Sequence, residues 1–147
     1  MINFYIQLMN NHSNLFRINA DLHLHGLYSG AVSSSMIPKT IAEQAPLKGL
    51  QLLGTADILH GKWMELVKEH LKPTEDEAIL EHENGTKFIL QTEVEDNNRV
   101  HHILLFPSFS KVEEVREKLK SKCKNLDSDG RPKLWLNGTE IAEIGLE

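Results

Sequence analysis

The sequence of 147 residues carries 16 Lys and Arg against 21 Asp and Glu, for a formal net charge of −5, and it is 40% hydrophobic. This composition is typical of a globular domain, and the length fits one domain but excludes a self-contained (β/α)₈ barrel of about 250 residues. The single cysteine excludes a disulfide framework or a Cys-rich zinc module. We expect Cys123 to be an incidental surface thiol, although nearby lysines could lower its pKa.

The hydrophobic pattern predicts an α/β domain over residues 18–147, after a loosely ordered, Asn-rich extension over residues 1–17. The predicted elements, in chain order, are a strand at 18–24, a loop at 26–35, a helix from Ser35 to about Lys48, a strand at 50–54, a helix at 62–71, strands at 87–94 and 100–106, a helix at 110–122, a brief strand at 133–136 and a helix at 139–146. Because strands mostly alternate with helices, we expect a largely parallel sheet. The sequence has no membrane-length apolar run and no signal-peptide pattern, so we expect a cytoplasmic location.

The motif Asp-Leu-His-Leu-His from Asp21 to His25 is the sharpest chemical signal. In a strand, side chains two residues apart project to the same face, so Asp21, His23 and His25 would point together. Two neutral imidazoles so placed can bind a divalent metal such as Zn, Mn, Fe or Ni. Two ordinary polar strand residues would give the same pattern. We expect Asp21 to orient a ligand histidine rather than bind metal itself.

Four further candidate ligands fall near the ends of predicted strands. Asp57 and His60 follow the strand at 50–54, Glu93 lies near the end of the next long strand, and His102 lies within the one after that. In an α/β barrel, the carboxyl ends of successive strands converge on one pocket. A carboxylate such as Glu93 can bridge two cations about 3.5–4 Å apart, which activate a water in phosphoester hydrolysis.

Several of these candidates have alternatives. Glu95 shares a strand face with Glu93 and could replace it as a ligand. His101 and His102 alternate faces, so at most one of them points inward. His60 could instead cap the helix that follows it. The remaining histidines are expected to be solvated: His12, His70 and His82.

Three segments stand in a characteristic order: Asp21 to His25, Gly54 to Asp57, and Glu93 to His102. Together they resemble the opening motifs of the PHP (polymerase and histidinol phosphatase) superfamily. The resemblance implies a distorted (β/α)7 barrel that carries up to three metals and hydrolyses phosphoesters. Because the later motifs of that superfamily are absent, the fold class expected is α/β, an incomplete PHP-type barrel consisting of its amino-terminal half.

Longer blocks resemble the amino-terminal part of the endonuclease Q family, over about Asn19 to Ile144. The blocks are 48–50, 54–59, 92–97, 99–102 and 130–132. This resemblance implies a metal-dependent DNA-repair endonuclease that nicks 5′ of deaminated bases (deoxyuridine or deoxyinosine) or at abasic sites. The implied cofactors are divalent ions (Zn, Mn, Fe or Mg) at up to two or three sites.

The family's site residues carry over position by position. His23 and His25 match the His-x-His pair, and Glu93 matches the bridging carboxylate. His102 matches the histidine that opens a His-Ile-Leu strand, and Asp57 matches an acidic position after the second strand. The metal ligands implied are His23, His25, Asp57, His60, Glu93 and His102. The residues implied in catalysis are Glu93 and Asp57.

Two other functions fit the same residues. The chain could be a truncated or split, non-autonomous half barrel that needs a partner chain with the missing strands. It could also be a small-molecule PHP phosphatase, although the segment from Glu93 to His102 resembles the nuclease more. The net charge of −5 argues mildly against a strong grip on DNA, because Lys and Arg contacts to phosphate dominate that affinity. One minor departure from the family is Ala56, where glycine is expected.

Overall fold

The protein is described by a computed structural model over residues 2–6 and 16–146, with the backbone alone at 2–6, 16 and 146. The strands are β1 (Ile2–Ile6), β2 (Phe16–Asp21), β3 (Leu52–Gly54), β4 (Lys72–Pro73), β5 (Ile79–Glu81), β6 (Lys87–Glu95) and β7 (His101–Phe106). The helices are α1 (Pro38–Gln44), α2 (Gly61–His70), α3 (Phe109–Leu119) and α4 (Gly138–Leu146), with a 3₁₀ turn at Pro46–Lys48. The α/β class is therefore confirmed.

The sheet is mixed, which corrects the expectation of a largely parallel one. Strands β2, β3 and β6 are parallel neighbours. The other pairs, β1 with β2, β4 with β5, β5 with β6 and β6 with β7, are antiparallel. The reason is connection length, because the turn over residues 96–100 allows a hairpin but is too short for a parallel crossover. The described strands do not close on themselves, and the PHP-type barrel stays a prediction.

Some local expectations also change. Part of the expected extension is strand β1, whose register runs from Ile2 opposite Ala20 to Ile6 opposite Phe16. Residues 7–15, which include His12, lie outside the described residues. The brief strand expected at 133–136 is reduced to isolated bridges at Lys133 and Leu134. Within residues 2–6 and 16–146, no helix is long and apolar enough to cross a membrane. The cytoplasmic location stays a prediction.

Strand β6 is buried on both faces, and the two faces differ in chemistry. Phe88, Leu90 and Val94 belong to the apolar core, together with buried residues of helices α2 and α3. Gln91 and Glu93, which alternate with these residues along the strand, are also buried. The sheet therefore places a buried carboxylate on the face that lies opposite its main core.

Strand β7 carries an apolar row on the same face as Glu93. Among the described strands it pairs with β6 alone, with Ile103 opposite Glu93 and Leu105 opposite Gln91. Residues directly opposite each other project to one face of a sheet. Ile103 and Leu105 are 40% and 46% exposed. An unpaired edge with exposed apolar side chains is what an incomplete barrel predicts.

Gly26 allows the loop after β2 to lie directly on the core. A Cβ at Gly26 would stand 2.6 Å from the Trp63 ring. Trp63 is fully buried, and its indole Nε1 donates to the Thr55 carbonyl at 2.8 Å, so the ring has little freedom to move. Gly30 lies in the same loop, and a Cβ there would have no described atom within 4 Å.

We expect Gly26→Ala to lower the free energy of unfolding by about 1–3 kcal/mol, because the added methyl overpacks a rigid aromatic contact. Gly30→Ala is the matched control and should change it by less than about 0.5 kcal/mol. Urea unfolding followed by tryptophan fluorescence measures both. Equal stability of the two variants would show that Gly26 does not lie against Trp63.

Candidate metal centre

The buried Glu93 carboxylate lies at the base of a cluster of three histidines: His23, His25 and His101. Its Oε1 atom lies 3.3 Å from His23 Nε2 and 2.9 Å from His101 Nδ1. Its Oε2 atom lies 3.1 Å from His25 Nε2. Ligand atoms of His23, His25 and Glu93 all fall within 4.8 Å of one another. Imidazole nitrogens around a carboxylate are a donor set typical of Zn, Fe or Mn.

The two histidines of the His-x-His motif reach Glu93 from a segment that follows β2. The strand ends at Asp21, so the histidines are not within it as predicted. Their rings nevertheless converge, with centroids 5.4 Å apart and planes at 71°. Asp21 Oδ1 accepts the backbone N–H of His23 at 3.2 Å. Asp21 thus shapes the segment through its backbone.

Asp57 lies behind His25 rather than among the atoms that surround Glu93, and its expected roles as a ligand and in catalysis stay predictions. Its Oδ1 atom is 3.0 Å from His25 Nδ1, and Oδ2 accepts Gly26 N–H at 2.6 Å and Ser29 Oγ–H at 2.8 Å. This hydrogen bond with Asp57 raises the pKa of His25 above its ordinary value. With Nδ1 held in this way, the Nε2 atom is the one turned toward Glu93. Asp57 is a positioning residue.

The turn that delivers Asp57 explains the departure at Ala56. Ala56 has φ of +62°, in the left-handed region that favours glycine. The glycine expected from the family would adopt this conformation without a Cβ penalty. Ala56 adopts this conformation in spite of its Cβ.

His60 lies outside the cluster, and the alternative role as a helix cap is confirmed. It is the N-cap of α2, where its Nδ1 atom accepts the Trp63 N–H at 3.4 Å. Its ring is buried and stacks on Tyr28, with centroids 4.4 Å apart and planes at 7°. Burial lowers the pKa of His60 below its ordinary value, although the Asp127 carboxylate acts in the opposite direction.

The register of the β6–β7 hairpin brings His101, not His102, to Glu93. His101 lies opposite Glu95, whereas His102 lies opposite Val94 on the other face. His102 Nε2 instead contacts Asp96 Oδ2 at 3.1 Å. The prediction that at most one of the two histidines faces inward agrees with this register. The role of His102 as a metal ligand stays a prediction, and the register that places His101 beside Glu93 could not be read from alternation, which gives the period of a strand but not its register.

Asp96 fixes that register through the turn between the strands. Its Oδ1 atom accepts the N–H groups of Asn98 and Val100, both at 2.8 Å. Burial alone would raise the pKa of Asp96, but these hydrogen bonds and the one with His102 outweigh it and hold the pKa below its usual value. His102 is therefore part of the turn structure.

Glu95 does not replace Glu93 in the cluster but lies beside it. Its Oε2 atom is 3.5 Å from His101 Nε2. His101 thus lies between two carboxylates, with one ring nitrogen toward each.

Two expectations about exposure are wrong, since His82 and Cys123 are both buried. Burial raises the pKa of the Cys123 thiol.

The residues present fit a divalent metal. Glu93 is 2% exposed, and although His25 Nε2 lies 3.1 Å from its Oε2 atom, that oxygen accepts no hydrogen bond from the described residues. A buried carboxylate oxygen left in this state is unfavourable, and a cation would satisfy it. The His23 and His101 side chains are 54% and 42% exposed. The cluster therefore has a buried carboxylate floor and a histidine rim that solvent reaches.

Known proteins resemble this chain over most of its length. No protein-family model matches it. An uncharacterised protein of Methanocaldococcus jannaschii is 41% identical over 126 residues, which are 86% of this chain and 14% of that protein. The crystal structure of a lesion-specific endonuclease from Pyrococcus furiosus matches with a TM-score of 0.83 and 50% identity, over 88% of this chain and 32% of that one. The same values hold for endonuclease Q in complex with a 27-mer duplex that has an abasic lesion at the active site.

The resemblance to endonuclease Q is supported. It rests on identical residues as well as on the backbone, since half of the aligned positions agree. The chain spans about a third of the length of these endonuclease Q structures.

Replacing His101 and replacing His102 should have different effects on metal affinity. We expect His101→Ala to weaken binding of Zn²⁺ or Mn²⁺ by at least about tenfold, because it removes an imidazole beside Glu93. His102→Ala should leave metal affinity unchanged and lower the free energy of unfolding by about 1 kcal/mol, through the lost hydrogen bond to Asp96. Isothermal titration of the chelator-treated chain measures the affinities. A larger metal defect in His102→Ala would restore His102 as the ligand.

The buried cap His60 should make stability depend on pH. Its folded-state pKa lies below the ordinary value of 6.5, so the unfolded chain takes up a proton first as the pH falls through that value. The contribution of His60 to stability should therefore decrease as the pH falls through about 6.5, so the stability of His60→Asn, which keeps a capping acceptor, should fall less over this range than that of the wild type. Urea unfolding in a chelator measures both slopes. Parallel curves would exclude this role for His60.

Proposed function

We propose that the chain provides part of the active site of a metal-dependent DNA endonuclease like endonuclease Q. The observation that carries this proposal is the convergence of His23, His25 and His101 on the buried carboxylate of Glu93. The 50% identity to a lesion-specific endonuclease supports a phosphodiester as the substrate of that cluster. In this proposal residues 18–147 are a partial phosphoesterase domain of the PHP type.

The two oxygens of Glu93 face different histidines, which suits a bridging carboxylate. Oε1 faces His23 and His101, and Oε2 faces His25. Divalent ions bound there would lower the pKa of a coordinated water and neutralise charge on the phosphate. The imidazole donors favour Zn, Mn or Fe over Mg. Asp57 holds the ring of His25, so its contribution is to fix a ligand nitrogen.

The proposed substrate is duplex DNA with a damaged base. An abasic lesion lies at the active site of the endonuclease Q complex, and deoxyuridine and deoxyinosine are the deaminated bases that we propose beside it. Enzymes that act on a base within a duplex extrude it into a pocket, and a lesion lowers the free energy needed for this step. The His23 and His101 side chains are partly exposed to solvent, so a backbone phosphate can approach the cluster from that side.

A second candidate is a half barrel that works only with a second chain. The observation that favours it is the apolar row of Ile103 and Leu105 on the edge strand β7. This row borders a groove of about 310 Å³ between β7 and helices α3 and α4, lined by side chains such as Val115 and Ile141. A polypeptide with the remaining strands would pair with β7, cover the row and add further ligands.

A nicking assay tests the first proposal. Purified chain loaded with Mn²⁺ or Zn²⁺ is expected to nick a labelled duplex 5′ of a deoxyuridine, a deoxyinosine or an abasic site. Replacing both His23 and His25 with Ala should abolish bound metal, measured by elemental analysis, and reduce nicking to background. His70→Ala, on α2 and outside the cluster, is the matched control and should keep both.

The outcomes distinguish the candidates. No nicking by the metal-loaded chain, with nicking restored by an endonuclease Q polypeptide that lacks the matching region, would establish the half barrel. Hydrolysis of a small phosphate monoester without nicking would point to a phosphatase. Unchanged metal content after loss of both histidines would overturn the ligand assignment.

A further inference from the structure

Arg131 lies beside the cluster and takes no part in the metal chemistry described above. One of its terminal guanidinium nitrogens is 3.7 Å from Glu93 Oε2. Its Nε atom is buried and finds no hydrogen-bond partner in the part of the chain that the structure describes. A buried N–H donor without an acceptor is unfavourable and uncommon in folded proteins. The Nε–H group is thus without an acceptor among the described residues, while a terminal nitrogen of the same guanidinium is near Glu93.

A small cavity opens next to this guanidinium. It measures about 110 Å³ and is lined by His25, Ser29, Gly30, Asp129 and Arg131. We call it the Arg131 cavity. Because His25 is also part of the metal cluster, a ligand in the Arg131 cavity would lie directly beside any bound ion.

The backbone around Arg131 is held on both sides. Gly130 N–H donates to the Tyr28 carbonyl at 3.2 Å, and the Pro132 carbonyl accepts the N–H of Glu95 at 3.0 Å. The first bond ties the segment to the loop after β2, and the second ties it to the end of β6. Arg131 is therefore positioned by the same two elements that carry the cluster.

Gly130 makes this approach possible. A Cβ there would clash with Ser29 Oγ and with the Asp57 carboxylate. Those two groups are hydrogen-bonded to each other, and both are buried, so they cannot move aside easily. A glycine before Arg131 therefore allows this segment to pack directly against Ser29 and Asp57.

The charge balance in the Arg131 cavity depends on the metal. Glu93 lies 3.7 Å from the guanidinium, and the Asp129 carboxylate, which accepts the Arg131 backbone N–H at 3.1 Å, also lines the cavity. These two carboxylates oppose an anion there. Cations bound at Glu93 would neutralise that carboxylate, and the guanidinium would then be able to offer its N–H groups to an anion.

We propose that the Arg131 cavity binds the non-bridging oxygens of the phosphodiester that is to be cut, and that Arg131 orients this phosphate against the metal cluster. This inference rests on the proposed endonuclease function. Arginine suits the task because its planar fork matches two phosphate oxygens at once, whereas lysine offers a single point charge.

The test is binding of a fluorescent duplex with an abasic site to the full chain, with and without Mn²⁺, measured by anisotropy. We expect Arg131→Met to weaken binding in Mn²⁺ by about 10- to 100-fold, the usual range for a lost charged hydrogen bond, and to change it little without metal. Arg131→Lys should fall between the two. Arg17→Met, which removes an exposed charge on β2, is the control and should weaken binding less than about threefold. Bound metal should stay the same in all variants.

Each result decides the inference. Wild type that nicks the duplex, together with Arg131→Met that binds it equally tightly, would overturn the role of Arg131 and leave the proposed function intact. Loss of bound metal in Arg131→Met would show that the guanidinium only balances Glu93, and would overturn it as well. Wild type that neither nicks nor binds the duplex in Mn²⁺ would refute the proposed function and the inference together. If Arg131→Met does not fold, the decrease in Arg131→Lys decides.

Discussion

The burial of the Glu93 carboxylate is the constraint on which the site depends. A carboxylate with 2% exposure on the face of a sheet requires compensating groups from whatever surrounds it. Here they arrive from three separate parts of the chain: the segment after β2, strand β7 and the segment at Arg131. Each brings a nitrogen toward a carboxylate oxygen. The geometry of the whole cluster follows from having to surround one buried charge.

Asp57 joins this cluster to the scaffold. It holds His25 on one oxygen, and on the other it holds the backbone of Gly26 and the hydroxyl of Ser29. The glycines on either side allow the close packing, because Gly26 lies against the Trp63 ring and Gly130 lies against Asp57. The ring of His25 is therefore held by the same contacts that pack the loop on the core.

The face of the sheet that carries Glu93 also carries the exposed row of Ile103 and Leu105 on β7. A buried polar floor that continues into an uncovered apolar row is typical of a surface that further polypeptide covers. The chain spans 32% of the endonuclease Q structures that it matches. The metal cluster and the surface that a second chain would cover therefore lie on the same face of the sheet.

The sequence by itself determined the α/β class, the importance of His23, His25 and Glu93, and the resemblance to endonuclease Q, because residue types and their local spacing are written in the chain. Only the tertiary structure decided between His101 and His102, since the hairpin register depends on the Asp96 turn and on pairing with β6. It also moved Asp57 behind His25 and made His60 a helix cap. It brought Arg131 to the cluster from far along the chain. These outcomes depend on which surfaces meet after folding, and contacts between distant segments leave no local pattern.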